Sequence, residues 1–140
     1  MGRILALDYG STTVGVAMSD ALGITAQPGE TLVRKKENHL RQTLAAIEKL
    51  VSENDITLIV LGKPVHADGS EGERVKATEE FAKALSARVN VPIHWQDERM
   101  TTIAADEILA EQGVPREERK KYIDSVAASI ILRDYMNMKG

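Results

Sequence analysis

The stretch "ITLIVLG", residues 56–62, constrains this chain more than any other. Thr57 aside, it is continuously apolar, so neither of its faces can be left largely to water. A strand of that kind belongs inside a sheet covered on both sides, the setting of parallel strands in α/β folds. The flanking segments agree. "KENHLRQTLAAIEKLVSEND" repeats Leu40, Leu44, Ile47 and Val51 at helical steps. "RVKATEEFAKALSARVN" presents Val75, Ala82, Leu85 and Val89 on one helical face.

Upstream the period changes to two. "RILALDYG" reads as a first strand, apolar on both faces up to Asp8. "TTVGVAMSD" reads as a second, with Val14, Val16 and Met18 alternating against Thr13, Gly15 and Ala17. The short "YGST" between them predicts a hairpin. "GITAQPGETLVR" is a third strand whose Pro28 and Gly29 mark a bulge or an edge. "VPIHWQDE" is the fifth and ends in acids. Two helices follow: "TTIAADEILAEQG", started at Thr101 or Thr102 and stopped by Gly113, and "PREERKKYIDSVAASIILRDYMNMKG", with Pro115 in its first turn. The predicted order β-β-β-α-β-α-β-α-α is an α/β fold, a five-stranded mixed sheet flanked by helices. No repeat, linker or low-complexity tract interrupts residues 1–140, which read as a single domain.

The chain has no cysteine. A disulfide framework, a thiolate metal site and a thiol nucleophile are excluded, and a cytoplasmic setting fits. "MGRILALDYG" lacks the apolar core of a signal peptide, and no stretch approaches the ~20 apolar residues of a membrane span, so no membrane partner is expected. The formal net charge is −3. A field of that sign does not attract nucleic acid, so any such role needs a local basic patch or bound cations.

Three acids stand in costly places. Asp8 closes the first strand, and Asp97 and Glu98 close the fifth. The carboxyl ends of strands are where open α/β sheets bind ligands. Asp124 shares a helical face with Ala127, Ala128 and Ile131, so it points toward the core side. A buried carboxylate is costly unless paired or bound to a cation. Taken singly, Asp8 reads as a turn residue, Asp97 or Glu98 as a cap, and Asp124 as a partner for Arg99. Taken together, Asp8, Glu98 and Asp124 form a candidate cluster, and clustered carboxylates persist only around divalent cations or shared protons. Hard oxygen donors, with no thiols and only 3 histidines in the chain, select Mg²⁺ or Mn²⁺. Two such ions about 4 Å apart would clamp the attacking and leaving oxygens of a phosphodiester.

Candidate substrate contacts surround these acids. "GKPVHADGSEGER" leaves the fourth strand at the same rim, where Lys63, His66 and Arg74 can touch phosphates; a plain surface loop is the alternative. Arg99 either binds a phosphate oxygen or pairs with Asp97. "REERKK" places Arg116, Arg119, Lys120 and Lys121 just before Asp124. Arg119 and Lys120 are candidates for the nucleic-acid backbone, against a solvated helix start. Basic charge in a first helical turn opposes the macrodipole, which favours the functional reading. Trp95 and Tyr135 read as packing residues, and His39 and His94 receive no role.

"ILALDYGSTTVGVAMSD", "VLGKPVHADGSEGERV", "DERMTTIAA" and "KKYIDSVAASIIL" resemble, in this order and across nearly the whole chain, the bacterial YqgF family. These are Holliday-junction-resolvase-like proteins, also described as candidate pre-16S rRNA nucleases. The most specific parts are the D-x-G-x-[KST] start, the G-x-P-x-x-x-x-G loop, D-E-R and the helical D-x-x-A-A. The resemblance implies a ribonuclease-H-like fold and a metal-dependent nuclease site, with the family's acids falling on Asp8, Glu98 and Asp124. It implies Mg²⁺ or Mn²⁺ as cofactor and favours RNA, through 5′-end maturation of 16S rRNA in ribosome biogenesis, with resolution of DNA junctions as the older suggestion. Gly10 would let backbone and phosphate approach closely. The loop departs from the family where Lys63 replaces the usual Leu and His66 the usual Asn. Two other readings stay open. "DYGSTT" is similar to the first phosphate loop of actin-like and sugar-kinase ATPases, which close two such domains over a nucleotide. A non-catalytic RNA-binding assembly factor would keep the fold without the chemistry. Monomer and homodimer are both compatible with the sequence.

Overall fold

A computed structural model of the chain describes residues 2–64, 72–97 and 101–139. Five strands, β1 (Arg3–Tyr9), β2 (Thr13–Ser19), β3 (Ala26–Val33), β4 (Ile56–Lys63) and β5 (Ile93–Asp97), form one sheet in the order β3-β2-β1-β4-β5. β1, β2 and β3 are a meander, antiparallel in both pairings, while β4 and β5 join β1 in parallel. The apolar run 56–62 lies in β4, second from one edge and fully buried from Ile59 to Leu61. β3 is an edge strand. Pro28, which has no N–H to give a ladder, stands opposite Ala17 beside an irregularity of register between Gly15 and Ala17.

Strand alternation sorts the core into two layers. Leu5, Leu7, Tyr9, Val14, Val16, Ile59 and Leu61 face Leu44 and Ile47 of α1 (Arg41–Glu53) and Phe81 and Leu85 of α2 (Glu73–Ser86). Ala6, Ala17 and Val60 face the long last helix through Ala128, Ile131, Leu132 and Tyr135. The residues beneath that helix are small, so it lies close on the sheet. α3 (Thr101–Glu111) packs on its outer side through Ala105, Ala127 and Ile130. Gly113, at φ +81°, ends α3; the N–H of Val114 reaches back to the carbonyl of Leu109 at 3.0 Å.

Three expectations change. The single helix predicted over "PREERKKYIDSVAASIILRDYMNMKG" is divided into α4 (Arg116–Arg119) and α5 (Ile123–Lys139). The intervening turn closes with i→i−3 bonds, Lys121 N–H to the Glu118 carbonyl at 3.2 Å and Tyr122 N–H to the Arg119 carbonyl at 3.0 Å. α4 is tied to α3 through Arg119, while α5 is seated on the sheet. The buried face of α2 is Val75, Thr78, Phe81 and Leu85, with Ala82 and Val89 at its margin. Thr78 is tolerated there because its hydroxyl donates to the Arg74 carbonyl at 2.7 Å. Trp95 is 40% exposed, because its strand forms the sheet's other edge, beyond the span that α2 covers. Tyr135 packs as expected, and its hydroxyl lies 2.6 Å from Nδ1 of His94. Among the described residues, no helix is long and apolar enough to cross a membrane.

Candidate active site

The topology gathers one rim. Since β1, β3, β4 and β5 run in one direction, all four end on the same side of the sheet, where β2 begins. That rim carries Asp8 near the end of β1 and Asp124 in the first turn of α5.

Gly15 brings the two acids together. It is the cross-strand partner of Asp8. Asp8 alternates with Ala6 and Gly15 with Ala17, so both point to the layer that α5 covers. A Cβ on Gly15 would stand 2.0 Å from the carbonyl oxygen of Asp124 and 3.0 Å from its Cβ. Only glycine admits the helix here. Directly opposed side-chain positions in an antiparallel pair are about 5 Å apart, so Asp8 and Asp124, both half-buried, flank the same glycine.

Thr13 fixes one of them. It lies on the same face of β2, and its hydroxyl donates to Oδ2 of Asp124 at 2.7 Å, across 111 positions of sequence. Gly10 leaves room for this bond, since a Cβ there would stand 2.9 Å from the Thr13 hydroxyl. The start of α5 adds the positive end of a helix dipole beside the Asp124 carboxylate. Two carboxylates, one held by a hydroxyl, are the hard oxygen donors that Mg²⁺ and Mn²⁺ take, so these residues fit such an ion. Among the described residues no third acid or histidine joins them.

The turn after Asp8 is clamped from behind. Arg34 is 7% exposed; its guanidinium donates to the carbonyls of Gly10 at 2.6 Å, Ser11 at 3.0 Å and Glu37 at 3.2 Å. Its own N–H donates to Thr12 at 2.7 Å. The same guanidinium lies 4.6 Å from the centre of the Tyr9 ring, which stacks at 4.3 Å on Phe81. Burial pushes the Tyr9 hydroxyl above its usual pKa, with Arg34 and Arg74 opposing and Glu37 assisting.

The other candidates separate. Glu98, His66 and Arg99 lie outside the described residues. Lys63 is half-buried at the end of β4. Arg74 is engaged within the fold, ion-paired with Glu37 and donating to the Tyr9 carbonyl at 3.3 Å. Arg119 likewise donates to Val114 at 3.0 Å and pairs with Asp106 at 3.4 Å. Arg116 and Lys120 are exposed. With the helix broken at residues 120–122, the first turn of α5 holds an acid, so the dipole argument for the basic cluster lapses. Asp97 alternates with Ile93, which packs toward α1 and α2, and so falls on the face away from Asp124. Sequence reasoning missed Thr13, Gly15 and Arg34. Of these, Gly15 carried a signal, as a glycine inside an alternating strand marks a close approach.

A family model described as RuvX, Holliday junction resolvase, matches residues 2–138. A Lachnospira eligens protein provisionally named pre-16S rRNA nuclease is 56% identical over 137 residues, covering 98% of this chain and 98% of its own. A Moorella thermoacetica protein of the same provisional name is 43% identical over 138 residues, covering 99% and 96%. Among solved structures, Thermus thermophilus RuvC in complex with a Holliday junction substrate superposes with a TM-score of 0.59 at 13% identity, covering 99% of this chain and 96% of that one. The likeness shows the fold: the sheet and its helices are arranged as in RuvC, of the ribonuclease-H-like class.

Proposed function

This chain belongs to the RuvX Holliday junction resolvase family, and from that membership we propose that it hydrolyses phosphodiester bonds in structured nucleic acid, at the 5′ end of a 16S rRNA precursor. The provisional name of its relatives supports the choice of RNA. What supports this chemistry is that Asp8 is the cross-strand partner of Gly15 while Asp124 abuts the same glycine, with one oxygen of Asp124 held by Thr13.

Asp8 and Asp124, together with Glu98, hold Mg²⁺ or Mn²⁺ in this reading. Bound there, the ions supply a more acidic attacking water and charge stabilisation for the departing 3′ oxygen. The protein's own part is positional. Thr13 orients the Asp124 carboxylate, and Gly10 keeps the turn thin enough for the strand to come near. Lys63 and Lys120, with His66 and Arg99, meet the substrate's phosphates, whereas Arg74 and Arg119 serve chiefly to hold the rim in shape. The reaction would run in the cytoplasm, on precursor RNA or an immature ribosomal particle.

The test is cleavage of a 5′-extended 16S precursor fragment by wild type and by Asp8→Asn, with Mg²⁺ or Mn²⁺ supplied and then chelated. The expected loss in the variant is about 100-fold or more, beyond what outer-shell changes cause. Activity unchanged in Asp8→Asn, or surviving chelation, overturns the mechanism. A four-way DNA junction run in parallel tests the second reading, which the family's description favours; cleavage confined to the junction would replace the RNA assignment.

A further inference from the structure

Behind the β1–β2 turn lies a basic segment that the sequence reading passed over. Residues 34–41, "RKKENHLR", connect β3 to α1 and hold Arg34, Lys35, Lys36 and Arg41 against a single acid, Glu37. Glu37 is already paired with Arg74, so the segment's one negative charge is neutralised within the fold. Arg34 is buried, but Lys35, Lys36, His39 and Arg41 are exposed. An open groove of about 750 Å³ runs along the segment, lined by Arg34, Lys35, Asn38, His39 and Arg41 among others. The first turn of α1, at the end of this groove, has no acidic residue.

Position gives this patch its meaning. β3 runs with β1, so residues 34–41 leave the sheet at the rim that carries Asp8 and Asp124. Arg34 bonds the patch directly to the Gly10 and Ser11 carbonyls of the turn that follows Asp8. The acid pair lies on the α5 side of that turn and the patch on the α1 side. A polyanion crossing the rim would meet both. In a chain of net charge −3, positive potential must be concentrated locally to hold such a ligand.

We propose that residues 34–41 are a docking surface for the phosphate backbone of the nucleic-acid substrate, with Lys35, Lys36 and Arg41 as its cations. The inference rests on the nuclease reading above and extends it from the cleaved bond to the strand beside it. Contacts of this kind fix register and carry no sequence preference. They also release counterions, so affinity falls with salt, each contact adding about 0.7 to 0.9 to the slope of log K against log salt.

The experiment measures binding of a fluorescent 16S precursor RNA to the full chain over a range of salt, without added divalent cation so that nothing is cut. Lys35→Ala/Lys36→Ala is compared with Lys49→Ala/Lys83→Ala, which removes the same charge from exposed sites in the later turns of α1 and α2. The rim double should flatten the slope by about 1.4 to 1.8, two contacts' worth, and raise Kd, while the control double stays near wild type. Equal behaviour of the two doubles overturns the docking surface. Cleavage assays separate the two failures. If wild type cuts the precursor and the rim double binds it undiminished, the docking surface falls and the nuclease stands; if wild type neither binds nor cuts, both fall.

Discussion

At the residue scale the site depends on an oxygen that is not itself acidic. Thr13 bonds Asp124 at 2.7 Å, and its neighbour Gly10 is shaped to allow it. Thr13→Val keeps the size and removes the donor. Mn²⁺ affinity, followed by titration, should fall about 10- to 100-fold, the range for partners of metal-binding carboxylates, while Thr13→Ser restores it. Equal affinity in wild type and the Val variant would reduce Thr13 to a structural residue. None of this was legible in "DYGSTTVG", since a hydroxyl among three consecutive hydroxyl residues has no periodic signature. The inward aim of Asp124 was legible, because Ala127, Ala128 and Ile131 mark its face and all three are buried. Arg34 escaped notice because a guanidinium is ordinarily exposed; here three backbone carbonyls and a tyrosine ring pay for its burial.

At the element scale the decisive contact is α5 on β2. The glycine that makes it possible is also where a single methyl does most harm. A Cβ at Gly15 meets backbone at 2.0 Å, so either the helix start or the strand must move. Gly15→Ala should lower unfolding free energy by about 3 kcal/mol, the upper end for overpacking, read by urea denaturation. A loss under ~1 kcal/mol would mean α5 is not held there. Strand identities and the edge position of β3 followed from alternation and from Pro28, both local properties. The break between α4 and α5 did not, because "REERKKYID" contains no proline or glycine and is helical by propensity. Tertiary attachment decides it: Arg119 binds α4 to α3 and to Val114 just after it, while α5 packs over small residues of the sheet. Likewise Phe81 displaced Ala82 as the centre of α2's face because its ring found Tyr9 to stack upon.

Across the whole molecule, stability should carry the imprint of Tyr9. Burial raises its pKa above the ordinary 10.0, so the folded chain favours the neutral phenol. That contribution is complete below the unfolded value and is lost as pH climbs through the folded one. Tyr9→Phe should therefore lose less stability than wild type on going from neutral pH to above 10.0, measured by urea unfolding; parallel curves would remove Tyr9 from the account. The α/β class was readable because one almost wholly apolar strand demands cover on both faces. The family was readable from four separated blocks, and RuvC shares the architecture at only 13% identity. The rim acids were readable as candidates, but how Gly15 and Thr13 seat them was not, since that depends on strands and a helix meeting from opposite ends of the polypeptide. That arrangement has a consequence for biosynthesis. A nascent chain emerging from the ribosome exposes Asp8 early, yet α5 is the last helix to appear, and until it docks the sheet has one bare greasy face. Asp8 thus meets Asp124 only once the last helix has been made, and in the reading proposed above a polypeptide still lacking α5 would be without one of its two described acids.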